Sequence, residues 1–392
     1  MKSVSFNIHI STDKKPRGII VIEKGGIQRI VIEWLPFIYV ILNAIIRLVN
    51  NNRSLLLLCL ASLIVAGVIG IIKSIIKLYA FIIGYIGVSI ISWMLCYLTN
   101  DGWVYDLDKF IYSLMYMGMA AILLEHRGNT VKYKILYFAV SVYIAYNILI
   151  KKVSIRGFML DGSTYNYISV ICLFYLALLG IMKCKNNEKI TYLEVIPFLV
   201  ITFTAYGRGG IVAAVILLIG TIIISMHDNR KRWTNYIFVM ALIVIFAVFG
   251  HRIITYIWSN YMGKFLTYGF DNNGRTEIWA GFLKNNLESV SSFLFGSNPM
   301  KVMVDGNLHN SFLQLYAAFG LVFLLINLYL IIKATTFFIR SKDLWLVLIF
   351  VVVFTRSLTD MVFFRGYCEI IYYYYIFKYL VDSRKKRQDL IL

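Results

Sequence analysis

Three basic side chains stand where this chain can meet an anion or a hydroxyl. Arg208 lies in Ala205-Tyr206-Gly207-Arg208-Gly209-Gly210, between two apolar runs. The second run starts here, and the free N–H groups of a helix start favour an anion. Gly209 and Gly210 let that anion approach the backbone, and Arg208 offers a planar fork that grips a phosphate with two bonds. The plain alternative is a tight turn whose arginine snorkels to the membrane surface. Arg275 follows a turn signal in Asp271-Asn272-Asn273-Gly274-Arg275 and opens a second candidate helix. It reads as a second anion site or as an ordinary solvated arginine. His309, in Asp305-Gly306-Asn307-Leu308-His309-Asn310-Ser311-Phe312, opens another long apolar run. A helix start favours the neutral imidazole, which can take a proton from a hydroxyl; a histidine that only hydrogen-bonds at a helix start is the alternative. Asp106-Leu107-Asp108 has a spacing able to hold a divalent cation. So short a triplet recurs by chance, and no metal is expected. Arg356 and Asp360, four apart, read as a structural ion pair on one helix face, with a supporting role beside the site as the other reading.

The elements that must position these groups are written in the hydropathy. Of 392 residues, 60% are hydrophobic, against about half in a soluble domain. Mean hydropathy is +0.74. Continuous apolar runs of roughly 17–25 residues point to membrane-crossing helices rather than the short alternating strands of a barrel. The expected fold is therefore all-α, a single polytopic membrane domain over 1–392. Twelve candidate spans centre on 32–49, 54–72, 76–98, 109–125, 134–150, 165–183, 189–206, 210–226, 233–250, 308–333, 343–359 and 366–381.

A net charge of +19 raises nucleic acid as a partner, but most charges sit in short clusters between apolar runs, as topology signals do. No nucleic acid is expected. Basic clusters occur in the amino tail at 1–31 (Lys14, Lys15, Arg17, Lys24, Arg29), after the fourth span (His126, Arg127, Lys132, Lys134), after the eighth (Arg230, Lys231, Arg232) and in the carboxyl tail at 383–392 (Arg384, Lys385, Lys386, Arg387). Twelve spans put all four on one side, which the positive-inside rule makes the cytoplasm. Both termini are then cytoplasmic. Lys151, Lys152 and Arg156 break the pattern: that loop binds an anion, or the span count is off by two there. The first thirty residues are polar and basic, and no cleavable signal peptide is expected.

The longest polar segment, 251–307, falls on the outer side. Within it, Trp279, Phe282, Leu283, Leu287 and Val290 give the stretch 276–290 one apolar face, as in a helix lying at the membrane surface. The cysteines Cys59, Cys96, Cys172, Cys184 and Cys368 all lie in or beside apolar runs without a CxxC pair, and read as packed small hydrophobes.

An arginine before an outward helix start, a Gly-Arg-x-x-x-Trp motif in a large outer loop (Gly274, Arg275, Trp279) and His309-Asn310-Ser311-Phe312-Leu313 with Gly320 further along resemble the O-antigen polymerase and O-antigen ligase superfamily of bacterial envelope proteins. The resemblance runs from about Tyr165 to Phe364; the first five spans share only hydropathy. It implies glycosyl transfer on the outer face of the bacterial cytoplasmic (inner) membrane, from a polyprenyl-pyrophosphate-linked oligosaccharide. Neither cofactor nor metal is implied, and no Gly-rich nucleotide loop in a strand–helix context occurs. His309, Arg275 and Arg208 would be catalytic. Arg208, Arg275, Gly209, Gly210, Gly274, Trp279 and Asn310 would bind substrate. A chain-length regulator and a flippase are the expected protein partners, beside the lipid bilayer. Repeat-unit polymerisation is the reading taken. Its rivals are ligation to a terminal acceptor, lipid-linked oligosaccharide flipping, and a non-catalytic role in envelope assembly. A flippase needs polar groups along a path through the membrane, whereas the spans read as mostly apolar inside.

Overall fold

A computed structural model describes residues 24–48, 53–99, 107–125, 129–151, 165–205, 207–226, 274–302, 306–364 and 366–389, with isolated positions between 236 and 255. Helix accounts for 87% of the structure and no strand occurs among the described residues, which decides for a helical membrane protein over a barrel. In chain order the helices are α1 (Lys24–Leu48), α2 (Arg53–Thr99), α3 (Leu107–Glu125), α4 (Thr130–Ala145, extended by a π-helical turn at Tyr146–Ile150), α5 (Tyr165–Lys185), α6 (Tyr192–Thr204) and α7 (Arg208–Met226). Further along come α8 (Arg275–Leu287) and α9 (Val290–Phe295), both within the 251–307 segment, then α10 (Ser311–Arg340), α11 (Leu344–Leu358) and α12 (Glu369–Asp389).

Six stretches among the described residues are long and apolar enough to cross a membrane: Arg53–Ile72, Phe81–Thr99, Thr130–Ile150, Tyr167–Lys185, Arg208–Met226 and Ser311–Arg340. Shorter apolar helices occupy Trp34–Leu48, Tyr192–Thr204 and Leu344–Leu358. Large apolar side chains such as Leu57, Leu98, Ile150, Ile223 and Ile332 are more than 60% exposed, a surface that suits lipid and not water. Most of the expected span at 233–250, the basic cluster at 230–232, His126, Arg127, Lys152, Arg156, Asp106 and most of the amino tail lie outside the described residues, as do positions 256–273 of the expected outer loop.

The expected spans 54–72 and 76–98 are one helix, α2. Lys73 and Lys77 interrupt the hydropathy between them, but no Gly or Pro lies between Gly70 and Gly84 to stop the backbone. Both halves pack on α3. A Cβ on Gly70 would fall 1.8 Å from the Gly118 carbonyl, and one on Gly118 would fall 1.9 Å from that of Gly67. Small residues here bring two backbones together, as at membrane helix contacts generally. Further along, the Trp93 ring stacks on Phe110 at 6.2 Å. On straight helices Gly70 and Trp93 would be about 35 Å apart, and Phe110 and Gly118 about 12 Å. Side chains cannot bridge that difference, so α2 bends between its halves.

Helix α5 is the centre of the bundle: 89% of its apolar window is buried, against 22–33% for the two ends of α2, α4 and α7. It packs on α4, α6, α7 and α11, and a helix apolar all round is one that is covered all round. At its carboxyl end Lys183, 4% exposed, pairs with the fully buried Glu194 of α6 at 2.5 Å. Glu194 also accepts from Thr191 N at 2.8 Å, so one carboxylate caps α6 and ties it to α5. The carboxyl tail is not a separate segment, because α12 continues through it to Asp389.

Inside, the bundle is less apolar than hydropathy implies. Asn327 accepts from Tyr85 at 2.8 Å and also from Tyr372, Ser113 and Tyr373 share a hydrogen bond of 2.7 Å, and Glu369 is 1% exposed. Tyr85, Tyr372 and Asn327, and Ser113 with Tyr373, satisfy one another across α2, α3, α10 and α12, whereas Glu369 accepts from Gly366 N at 3.2 Å and keeps Oε2 without a hydrogen-bond partner.

Candidate functional site

The site is built around one turn. Helix α11 ends at Leu358, and the turn at residues 358–363 presents backbone groups that two other elements grip. Arg275, first residue of α8, donates from Nη1 to the Thr359 carbonyl at 2.5 Å. Asn310, the residue before α10, donates from Nδ2 to the Leu358 carbonyl at 3.0 Å. Ser311, fully buried, donates to the Asp360 carbonyl at 2.9 Å and accepts from Val362 N at 2.9 Å and Phe363 N at 3.0 Å. The start of α7 lies against the same turn: a Cβ on Gly209 would fall 2.5 Å from Thr359 Oγ1 and 3.1 Å from Arg356 Nη1. Four regions distant in sequence therefore meet at one place.

Arg356 fastens the turn from inside. It is 1% exposed, donates from Nη1 to Thr359 Oγ1 at 3.0 Å, and pairs through Nη2 with Asp360 Oδ2 at 3.1 Å. The expected ion pair with Asp360 is present. What the sequence left out is that this pair holds the turn to which Arg275 and Asn310 bind. The available signal was an arginine inside an apolar run, which is rare without a functional reason.

Arg275 lies in the electrostatic field of Asp360, Arg356 and Arg208. Burial pushes its guanidinium below the usual arginine range; Asp360 counters this, while Arg356 and Arg208 add to it. Arginine stays charged at neutral pH regardless. Asp360 thus stands among three cations, whose positive charge suits an incoming anion.

Arg208 is half-buried and is the first residue of α7, as its sequence context implies. Gly209 and Gly210 serve a different purpose from the one expected. The space a side chain would take is filled by Thr359 and Arg356 at Gly209, and by Ser169 of α5, 2.5 Å away, at Gly210. These glycines let helices approach, rather than an anion. Gly274 caps α8 with φ +74°, and a Cβ there would meet nothing within 4 Å. Its role is conformational, since left-handed backbone favours glycine.

Trp279 donates from Nε1 to the Leu308 carbonyl at 2.7 Å, fixing α8 against the segment that carries His309. Phe282 is fully buried beside Tyr316, with ring centroids 5.9 Å apart. The expected single apolar face is divided. Ile278 and Phe282 turn inward, whereas Leu283, Leu287 and Val290 are 44–77% exposed. The helix also ends at Leu287, and Val290 begins α9.

His309 is half-buried and has φ +49°, a left-handed backbone stabilised by donation from its own N–H to Asn307 Oδ1 at 2.8 Å. Asn310 caps α10, accepting at Oδ1 from Phe312 N at 2.9 Å and Leu313 N at 3.1 Å, while its amide nitrogen reaches Leu358. The residue after His309 thus sets both the helix start and its attachment to the arginine turn. Of the Asp106–Asp108 pair, Asp106 lies outside the described residues. Comparison of the chain with family models, curated proteins and solved structures finds no match.

Proposed function

We propose that this protein polymerises repeat units of a surface polysaccharide, taking a polyprenyl-pyrophosphate-linked glycan as donor on the outer face of the bacterial cytoplasmic membrane. One observation carries the reading: Arg208, Arg275 and Arg356 gather around Asp360 at the turn to which the His309-Asn310-Ser311 segment is bound. A cluster of cations suits a leaving pyrophosphate, and an adjacent imidazole suits an attacking hydroxyl. The resemblance of these same motifs to the O-antigen polymerase and ligase superfamily points the same way.

In the proposed reaction the acceptor hydroxyl oxygen attacks the anomeric carbon of the donor glycan. The bond from that carbon to the pyrophosphate oxygen breaks, and the electron pair leaves on the lipid pyrophosphate. Arg208 and Arg275 stabilise the developing charge. His309 takes the hydroxyl proton. The growing chain is the donor, and the acceptor is the non-reducing-end hydroxyl of another lipid-linked unit.

Ligation uses the same groups with a terminal acceptor, so the decisive experiment is a mass profile of lipid-linked glycans in cells lacking the protein. Single repeat units on the lipid, without polymer, are expected. Full-length polymer accumulating on the carrier lipid would instead make the protein a ligase. An unaltered profile would remove both readings.

A further inference from the structure

Arg47, one residue from the end of α1, lies at the same end of the bundle as the arginine turn. It donates to the Tyr167 hydroxyl at 2.5 Å, and its guanidinium carbon sits 4.3 Å from the centre of the Tyr367 ring and 5.4 Å from that of Tyr167. Tyr39 and Tyr116 lie in its electrostatic field. The neighbourhood adjoins the proposed site. Tyr167 lies in the field of Asp360, and Cys368 lies in the fields of both Arg47 and Arg356.

Among the described residues Arg47 has no counter-charge. Among the described residues no carboxylate is within salt-bridge distance of it, and its Nε is buried with no hydrogen-bond partner. The buried cations Lys183 and Arg356, by contrast, each hold a carboxylate within 3.1 Å. A buried charge without an opposite charge is costly. Phenol rings and one phenolic oxygen offset part of that cost and leave the charge itself unneutralised. Arg47 as a whole residue is half-buried rather than sealed.

We propose that Arg47 is an oxyanion-binding residue whose counter-ion is supplied by the substrate. Resting on the polymerase reading, the oxyanion is a phosphate of the lipid pyrophosphate or a carboxylate on the sugar beside it. Both present the same pair of oxygens to the guanidinium fork.

The test uses the full-length protein in lipid nanodiscs, with thermal unfolding followed as ligand is added. Two probes separate the sources: farnesyl pyrophosphate, which carries no sugar, and glucuronate, which carries no phosphate. At least one should stabilise the wild type. Arg47→Gln should weaken that probe about 10- to 100-fold, with Arg47→Lys in between, and the ligand-free protein should unfold no lower than wild type. Weakening confined to farnesyl pyrophosphate identifies the phosphate, and weakening confined to glucuronate identifies the carboxylate. If neither probe stabilises the wild type, or Arg47→Gln binds both undiminished, the inference is overturned. It is equally overturned if Arg47→Gln unfolds several degrees lower or fails to fold, since Arg47 then holds the fold. The polymerase reading fails separately, on an unaltered glycan profile, and leaves an Arg47-dependent response to either probe standing.

Discussion

At the scale of single residues, the proposed chemistry separates charge from shape and strain from function. Arg275 reaches the Thr359 carbonyl through one arm of its fork and leaves the rest of a planar donor group near Arg208. Arg275→Ala should abolish polymer while the protein remains in the membrane, read by glycan gel and immunoblot of membranes; wild-type polymer would sink the proposed role. Arg208→Lys keeps the charge and loses the bidentate geometry, so it should be impaired as well. Full activity there would mean that charge alone suffices. His309 gives a sharper separation. Its φ of +49° costs a non-glycine residue about 1–2 kcal/mol. His309→Gly removes the imidazole and relieves that cost, against the ~0.5–1 kcal/mol that glycine itself loses on ordering. The variant should unfold at or slightly above the wild-type temperature and make no polymer. A marked drop in unfolding temperature would make the imidazole a structural group instead.

At the scale of elements, α10 is two helices in sequence. Gly320, with φ +76° and ψ 178°, breaks it after Phe319. The first part, from Ser311, is buried on nearly every side, and the remainder, about 30 Å of helix, is long enough to cross the apolar core of a bilayer. The break lets α9 lie against it at backbone distance. A Cβ on Gly320 would fall 2.6 Å from the Leu294 carbonyl, and one on Gly296, itself at φ +80°, would fall 2.4 Å from that of Tyr316. The Cys96 thiol donates to the Ala317 carbonyl at 2.9 Å, three residues before the break. The half-helix carrying His309, Asn310 and Ser311 at its head is thus held from below by α9 and α2, and from above by the α11 turn. Gly320→Ala forces a side chain into left-handed backbone and into Leu294, and should cost about 1–3 kcal/mol or more. Chemical unfolding in detergent measures it, with Gly87→Ala as the comparison because a Cβ at Gly87 would meet nothing within 4 Å. Equal stability of the two variants would show that the break is not required.

At the scale of the molecule, the starts of α5, α7, α10 and α12 and the ends of α1 and α11 lie together, and the site with its Arg47 neighbour sits at that end. The Lys183–Glu194 latch joins α5 to α6 at the carboxyl end of α5. Proposed orientation puts the arginine end outside. The native thiols at Cys59, Cys96, Cys172 and Cys368 are buried and Cys184 is half-buried, so new surface cysteines can report sidedness once Cys184 is replaced by alanine. Lys284→Cys on α8 should react with a membrane-impermeant maleimide in intact cells, and Arg384→Cys only after permeabilisation. The reverse pattern would place the arginine site in the cytoplasm, where the proposed donor chemistry does not apply.

What the sequence determined by itself was whatever depends on local pattern. Apolar run length gave helices and a membrane, and the Gly-Arg contexts gave the helix starts at Arg208 and Arg275. Such features follow from backbone preference and solvent transfer, which act within a few residues of each other. Only the tertiary structure decided that α2 is continuous and bent, since hydropathy registers two lysines but not whether the backbone stops at them. It alone assigned Gly209 and Gly210 to helix contact, because a glycine's missing side chain has meaning only beside the atoms that fill its place. It also joined Arg356 to the Arg275 and Asn310 elements through the backbone of residues 358–363, groups that carry no side-chain signature in sequence. And it left Arg47 without a carboxylate among the described residues, a fact about how several helices pack that no single stretch of chain can state.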